Sequence, residues 1–312
     1  MAAQVNRASP RATVLLTGAT GQVGLFALPR LLTAGHSIIA LSRKIPVDSG
    51  GASATPGLRW FHPDAVQRTG GEMVRHVDAL LSCGPVDLAA RWAPLCPRLQ
   101  RVVCISTSSV YTKLASANAA ERRLIAGILA AEEALQRCCQ QRDIALFLLR
   151  PNLIYGCGLD HNVSRVARWL RRFHFMPLAG EACGRRQPVH ADDLAQLALS
   201  VLEAREWPGL ECPVGGGSVI TYRQMVERIF AAVGLPPRTV RLPPALLALL
   251  VRTVSWLPFM AGLNTGYVFR QNMDMVFDDA WLRDHLGFAP RPFAPTPADF
   301  TVPQQARDLQ PL

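Results

Sequence analysis

The chain has 312 residues, 49% hydrophobic and 18% charged, with a formal net charge of +10. That length suits one large α/β domain or a core with a smaller lobe, and the apolar content excludes a disordered chain. The basic excess favours anionic ligands such as nucleotides. All but two of the basic residues are arginines (the lysines are Lys44 and Lys113), and no aromatic–basic interleaving or helix-turn-helix pattern points to nucleic acid. Met1 to Arg11 lacks the apolar run of a signal peptide, and the eight cysteines show neither CxxC nor metal-ligand spacing. Both features lead to the expectation of a reduced, cytoplasmic protein.

In chain order, the first element is a short apolar strand, Val14 to Leu16. It runs through Thr17 into glycines 18, 21 and 24 and then into an apolar helix, Leu25 to Leu32. Such a strand–loop–helix can hold the pyrophosphate of a dinucleotide. Gly18 permits the turn, Gly21 lets backbone approach phosphate, and Gly24 lets the helix pack on the strand. The helix N-terminus then faces the anion. Thr20, Gln22 and Val23 complete the loop. Strands are predicted at Ile38–Leu41, Leu58–Phe61, Ala79–Gly84, Val102–Ile105 and Ala145–Leu149, with a flexible loop over Pro46–Gly57. Ser82, Cys83 and Gly84 are small residues at a strand end, where a cofactor can pass. Asn118 and Glu121 read as a capping box opening a helix to about Gln140, with Leu124, Ile128, Ala131 and Leu135 as its apolar stripe.

Alternating strands and helices predict a Rossmann-type, doubly wound parallel sheet. The boundaries are a dinucleotide-binding core over 12–151 and a mainly substrate-binding lobe over 152–312, interleaved with returning core elements. In that second part Arg165, Arg168 and Arg172 share one helix face. Leu242 to Met260 is Leu-rich but too short and too broken by prolines and Arg252 to span a bilayer. It reads as a packed core helix, with peripheral membrane contact or a partner surface as the alternative.

Five segments carry a resemblance: Thr-Gly-Ala-Thr-Gly-x-x-Gly from Thr17, Ile-Ser-Thr-Ser-Ser-Val-Tyr over 105–111, Arg-Pro-Asn-Leu-Ile-Tyr-Gly over 150–156, Arg-Gln-Pro-Val-His-Ala-Asp-Asp-Leu-Ala over 186–195, and Phe-Asp-x-x-x-Leu-x-x-x-Leu-Gly-Phe over 277–288. Together they make the chain similar to the extended short-chain dehydrogenase/reductases, in particular the NAD-dependent epimerase/dehydratase group. The resemblance implies a nicotinamide dinucleotide held by the glycine loop, Ser82–Gly84, Ser106 and Pro151. It also implies a phosphorylated or nucleotide-linked substrate near Asn152 and Arg185 or Arg186, and a helix-pair homodimer. At the end of the second strand Ser42 and Arg43, followed by Lys44, stand where an acidic residue selects NAD, so NADP is the expected cofactor and NAD the alternative.

One departure matters. The family's Tyr-x-x-x-Lys pair is missing: none of Tyr111, Tyr155, Tyr222 and Tyr267 has a lysine four residues later. Matching the long helix to the family's places Leu124 and Ile128 there. Thr107 keeps the family's substrate-binding hydroxyl. Tyr111, with Lys113 two residues on, is the candidate replacement. His190 is expected to anchor a strand–helix junction, with Asp192 or Asp193 capping the helix. Two functions follow: an oxidoreductase, epimerase or dehydratase with a non-standard acid/base group, or a non-catalytic dinucleotide-binding sensor or assembly subunit.

Overall fold

The computed structural model describes residues 12–43, 45, 55–204, 211–254 and 265–304. Most of the loop expected over 46–57, Lys44, and the 255–260 end of the Leu-rich stretch lie outside the described residues. The first half alternates as the apolar pattern requires. β1 (Thr13–Thr17) leads to α1 (Gly24–Thr33), followed by β2 (Ser37–Leu41), β3 (Leu58–Phe61) and the short α2 (Pro63–Arg68). After these come β4 (Ala79–Ser82), α3 (Val86–Trp92), β5 (Arg101–Ile105), the single turn α4 (Ser109–Thr112), α5 (Ala119–Gln141) and β6 (Ala145–Pro151).

These strands and β11 (Glu211–Val214) form one seven-stranded sheet in the order β3-β2-β1-β4-β5-β6-β11, and every pairing is parallel. Such a sheet is covered on both faces, which is why its strands are continuous apolar runs. Val14 and Leu16 pack into the layer with α1 and α7 (Ala191–Glu203), whereas Leu15 packs on the opposite side with residues of α3 and α5. The chain reverses its winding direction between β1 and β4, where a parallel α/β sheet opens a crevice at the strands' carboxyl ends.

The remaining elements build a second cluster beside the sheet's carboxyl edge. They are β7 (Ile154–Tyr155), α6 (Val163–Phe173), β8 (Met176–Ala179), β9 (Arg185–Arg186), β10 (Val189–His190), β12 (Ile220–Thr221), α8 (Tyr222–Ala232), β13 (Thr239–Leu242), α9 (Pro244–Val254) and α10 (Thr265–Arg270), whereas α11 (Ala280–Leu286) returns to the layer of α1 and α7 through Leu282. Three two-stranded sheets, β7–β10, β9–β12 and β8–β13, order them.

Several sequence expectations are corrected here. Leu124 is 62% exposed, and the inward face of α5 is Ile125, Glu132, Leu135 and Cys139, with Ile128 partly buried. Asn118 does cap α5, accepting from the amides of Ala120 and Glu121, but Glu121 does not close the box. Its carboxylate accepts from Ser116 and pairs with Arg270, and Ser116 takes the Asn118 amide. At α7 neither Asp192 nor Asp193 is the cap. The His190 ring accepts from the Asp192 amide at Nδ1, and the two aspartates bind Arg30 and Arg291. α9 is not wholly packed: Leu247, Ala248 and Val251 are buried, whereas Leu246, Leu249 and Leu250 are exposed. Among the described residues no helix is long and apolar enough to cross a membrane.

Candidate functional site

The glycine loop joins β1 to α1 at the switch point. Gly18 has φ +66°, and a Cβ there would fall 2.5 Å from the amide nitrogen of Gly84, so the β1 and β4 loops touch backbone to backbone. A Cβ on Gly24 would lie 2.1 Å from the Gly18 carbonyl oxygen, so the turn closes only around glycine. Gly21 is different. Its Cβ would meet only the Gly18 carbonyl carbon and oxygen, the latter at 3.1 Å. The fold demands a glycine there far less than at Gly18 or Gly24, since a Cβ would crowd one backbone oxygen and nothing else. Below it, the Thr17 and Ser82 hydroxyls bond at 2.8 Å. Cys83 is a neutral wall, since burial pushes its thiol well above the ordinary range. Gln22 reaches across to the Gly156 carbonyl, which ties the loop to the segment after β7.

At the end of β2, Ser42 is buried and its amide donates to Phe61, whereas Arg43 is exposed. Arg43 is thus the expected cation left open beyond the strand.

The carboxyl end of β5 carries Ser106 and Thr107. The Ser106 hydroxyl donates to Glu132 of α5, and the Thr107 hydroxyl accepts from the Ser109 amide at 3.1 Å. One turn on, Tyr111 is 46% exposed. Its phenolic oxygen accepts from Arg150 Nη1 at 2.7 Å, and its ring leans on Phe277. Arg150 is buried at the end of β6, where Glu132 and Glu211 each approach Nη2, at 2.6 and 2.7 Å. Burial works against that guanidinium, but the hydrogen bonds to Glu132 and Tyr111 outweigh it and hold its titration above the ordinary arginine range.

Lys113 does not partner Tyr111. It faces Glu121 at 3.8 Å, beside Arg270, which also binds Glu121. Burial, reinforced by the charge of Arg270, pulls the Lys113 ammonium below its ordinary value. Sequence reading missed Arg150, Glu132, Glu211 and Phe277 as neighbours of the phenol. The available signal was a glutamate at an inward position of α5, which in a core requires a cationic partner.

The expected substrate residues are held within the protein. The Asn152 amide donates to the Met275 carbonyl. Arg185 is exposed and pairs with Asp274 at 2.6 Å. Arg186, 3% exposed, donates to the carbonyls of Arg185, Met273 and Arg270, and burial lowers its titration. Pro151 closes β6 and its carbonyl takes the Ser108 amide. His190 is structural, bound at Nε2 to Asp299 at 3.0 Å.

No family model matches the sequence. A 2′-dehydrokanamycin reductase of Streptomyces kanamyceticus is 26% identical over 243 residues, 74% of this chain and 69% of that protein. The uncharacterized protein y4nG of Sinorhizobium fredii is 25% identical over 204 residues, 62% of this chain, which spans about half of y4nG. In three dimensions the chain is similar to the UDP-glucuronic acid 4-epimerase of Bacillus cereus, solved with UDP-glucuronic acid and NAD. The TM-score is 0.67 at 14% identity, covering 96% of this chain and 100% of that one. At such identity the likeness is one of architecture: the chain shares the fold of that epimerase, a doubly wound parallel sheet with a smaller cluster beside it.

Proposed function

We propose that the chain is a nicotinamide-dinucleotide-dependent enzyme that interconverts a carbonyl and an alcohol, with Tyr111 as the acid/base group in place of Tyr-x-x-x-Lys. The observation that carries this is the hydrogen bond from Arg150 to the Tyr111 oxygen. A phenol has one proton to donate. With its oxygen already accepting from a guanidinium, the O–H is left for a substrate oxygen, and the phenolate formed afterwards stays beside a permanent cation. The Thr107 hydroxyl is in the same position, accepting from the Ser109 amide with its own proton free to orient a substrate.

The glycine loop supports the cofactor. At Gly21 a Cβ would meet only the Gly18 carbonyl, which fits a loop whose outer side takes phosphate, with Ser82, Cys83 and Gly84 as the opposite wall. A bound dinucleotide would supply the redox equivalents; the residues of this chain bind, orient and move the proton. Exposed Arg43, with Ser42 behind it, favours the phosphorylated cofactor NADP, and NAD is the alternative. The reductase name of the Streptomyces relative favours reduction over epimerisation. Because Arg185 and Arg186 are engaged within the protein, a small carbonyl substrate is favoured over a nucleotide-linked sugar.

Thermal unfolding with NADP, NADPH, NAD and NADH tests the cofactor. Ligand at a hundred times its Kd adds about 2.7 kcal/mol, and no shift with any of them overturns the reading. A second reading, a dinucleotide-binding sensor, is favoured by Leu124 and Ile128 on α5. It wins if a dinucleotide binds but a panel of ketones, aldehydes and sugar nucleotides gives no turnover.

A further inference from the structure

A groove of about 680 Å³ opens between α6, β8, α9 and α10, away from the glycine loop. Its interior is aliphatic and aromatic, with Val166, Phe173, Met176, Leu247 and Val251 among its walls. Arg165, Arg168 and Arg172 line one side, as their helical spacing requires, and His161 stands at the end of the same row. Arg168 and Arg172 are exposed, and among the described residues no carboxylate pairs with either.

The neutral polar groups in this wall are already engaged. The Gln271 amide oxygen accepts from Ala179 at 2.8 Å, Trp169 Nε1 donates to the Phe175 carbonyl at 2.7 Å, and the Tyr267 and Tyr222 hydroxyls bond each other. A nucleobase or a sugar needs donors and acceptors along its edges, and this wall offers it few. An apolar chain needs none. Leu250 belongs to the groove and also to the exposed face of α9, next to Leu246 and Leu249, so the apolar surface continues out of the mouth.

We infer that the groove binds an amphipathic anion as a single molecule. A phosphate, phosphonate or carboxylate head lies on Arg168 and Arg172, and an apolar chain lies along the wall of α6 and α9. Guanidinium suits such heads through paired N–H donors. The site needs no dinucleotide, so its test is independent of the redox reading.

The test is calorimetric titration of the full chain with dodecyl phosphate below its micelle concentration. Saturable one-to-one binding is expected, with dodecanol and inorganic phosphate each at least tenfold weaker. The R168A/R172A double variant, changed at exposed positions, should weaken dodecyl phosphate at least tenfold, and so should Leu250→Glu. Four outcomes overturn the assignment. They are equal binding of dodecanol, equal binding of inorganic phosphate, tighter binding of uridine diphosphate that displaces dodecyl phosphate, and adsorption to phosphatidylglycerol vesicles without saturable binding of the monomer. The last marks a membrane-facing surface.

Discussion

Arg150 donates to the phenolic oxygen of Tyr111 at 2.7 Å while two carboxylates, Glu132 and Glu211, hold its other nitrogen from behind. The cation is fixed before any substrate arrives, so it can act on the phenol without reorganising. In the proposed function this arrangement takes the part of the lysine in a Tyr-x-x-x-Lys pair, with residues drawn from α4, α5, β6 and β11.

If Tyr111 moves the proton, Tyr111→Phe should lower kcat by roughly 10²–10⁴-fold, the usual worth of a positioned acid/base group. Dinucleotide binding should stay near wild type, and the stability loss should be limited to about 1–3 kcal/mol, because the change takes one acceptor from Arg150 while Glu132 and Glu211 still hold its other nitrogen. Thr107→Ala should raise KM and lower kcat together. Turnover at the wild-type rate in Tyr111→Phe would remove the residue from the chemistry.

Glu132 lies 2% exposed against Arg150. Removing one partner of a buried pair strands the other, at a cost of about 3–5 kcal/mol. Glu132→Ala should therefore lose about that much stability in urea unfolding. A loss below about 1 kcal/mol would mean that Glu211 alone satisfies the guanidinium.

Gly21 and Gly24 should separate when each is changed to alanine. Gly24→Ala puts a methyl 2.1 Å from the Gly18 carbonyl oxygen and should destabilise the fold itself. Gly21→Ala crowds only the Gly18 carbonyl oxygen, at 3.1 Å, so its melting temperature should fall far less than that of Gly24→Ala while the thermal shift given by a dinucleotide disappears. A full shift in Gly21→Ala would place the pyrophosphate elsewhere.

Arg43→Glu should reverse the cofactor preference. A carboxylate at the end of β2 repels a 2′-phosphate and can take the ribose hydroxyls instead. We expect NADPH binding to weaken at least tenfold and NADH binding to improve, read from titrations of each. Equal loss of both would mean that Arg43 acts on the adenosine in general and not on the phosphate.

The sheet was legible because its signal is local. A parallel strand buried on both faces is a short apolar run, and six of the seven strands begin and end within one or two residues of those runs; the seventh, β11, is Glu-Cys-Pro-Val at the sheet's edge and has no such run. The glycine loop was legible for a similar reason: β1, the three glycines and α1 follow one another in sequence. The surroundings of Tyr111 were not, because Arg150 and Glu132 come together only after β6 and α5 pack. Glu132 also disguised its own helix. Ile128, Ala131 and Leu135 of the expected stripe do face the core, with Ile125, Glu132 and Cys139 beside them, but a carboxylate in that row breaks an apolar pattern, and Leu124 was included in place of Ile125. His190 hid the cap of α7 in a comparable way, since a histidine ring does there what an aspartate side chain was expected to do.

Asp192 offers a test of linkage at that same helix. Burial disfavours its charge, but hydrogen bonds from Arg30 and Arg291 outweigh burial and hold its titration below the ordinary carboxylate value. A carboxyl depressed in the folded state stabilises the protein at pH values above the unfolded titration, about 3.9, and loses that contribution as the pH falls through the folded value. Asp192→Asn resembles the protonated form. It should therefore be less stable than wild type at pH 7, by roughly 1 kcal/mol given solvent screening of a partly exposed group, and the gap should close as the pH drops below about 4. Urea unfolding at pH 7 and at a series of lower pH values follows the gap as it closes. A gap that is constant with pH would show that the two arginines hold the side chain by shape and not by its charge.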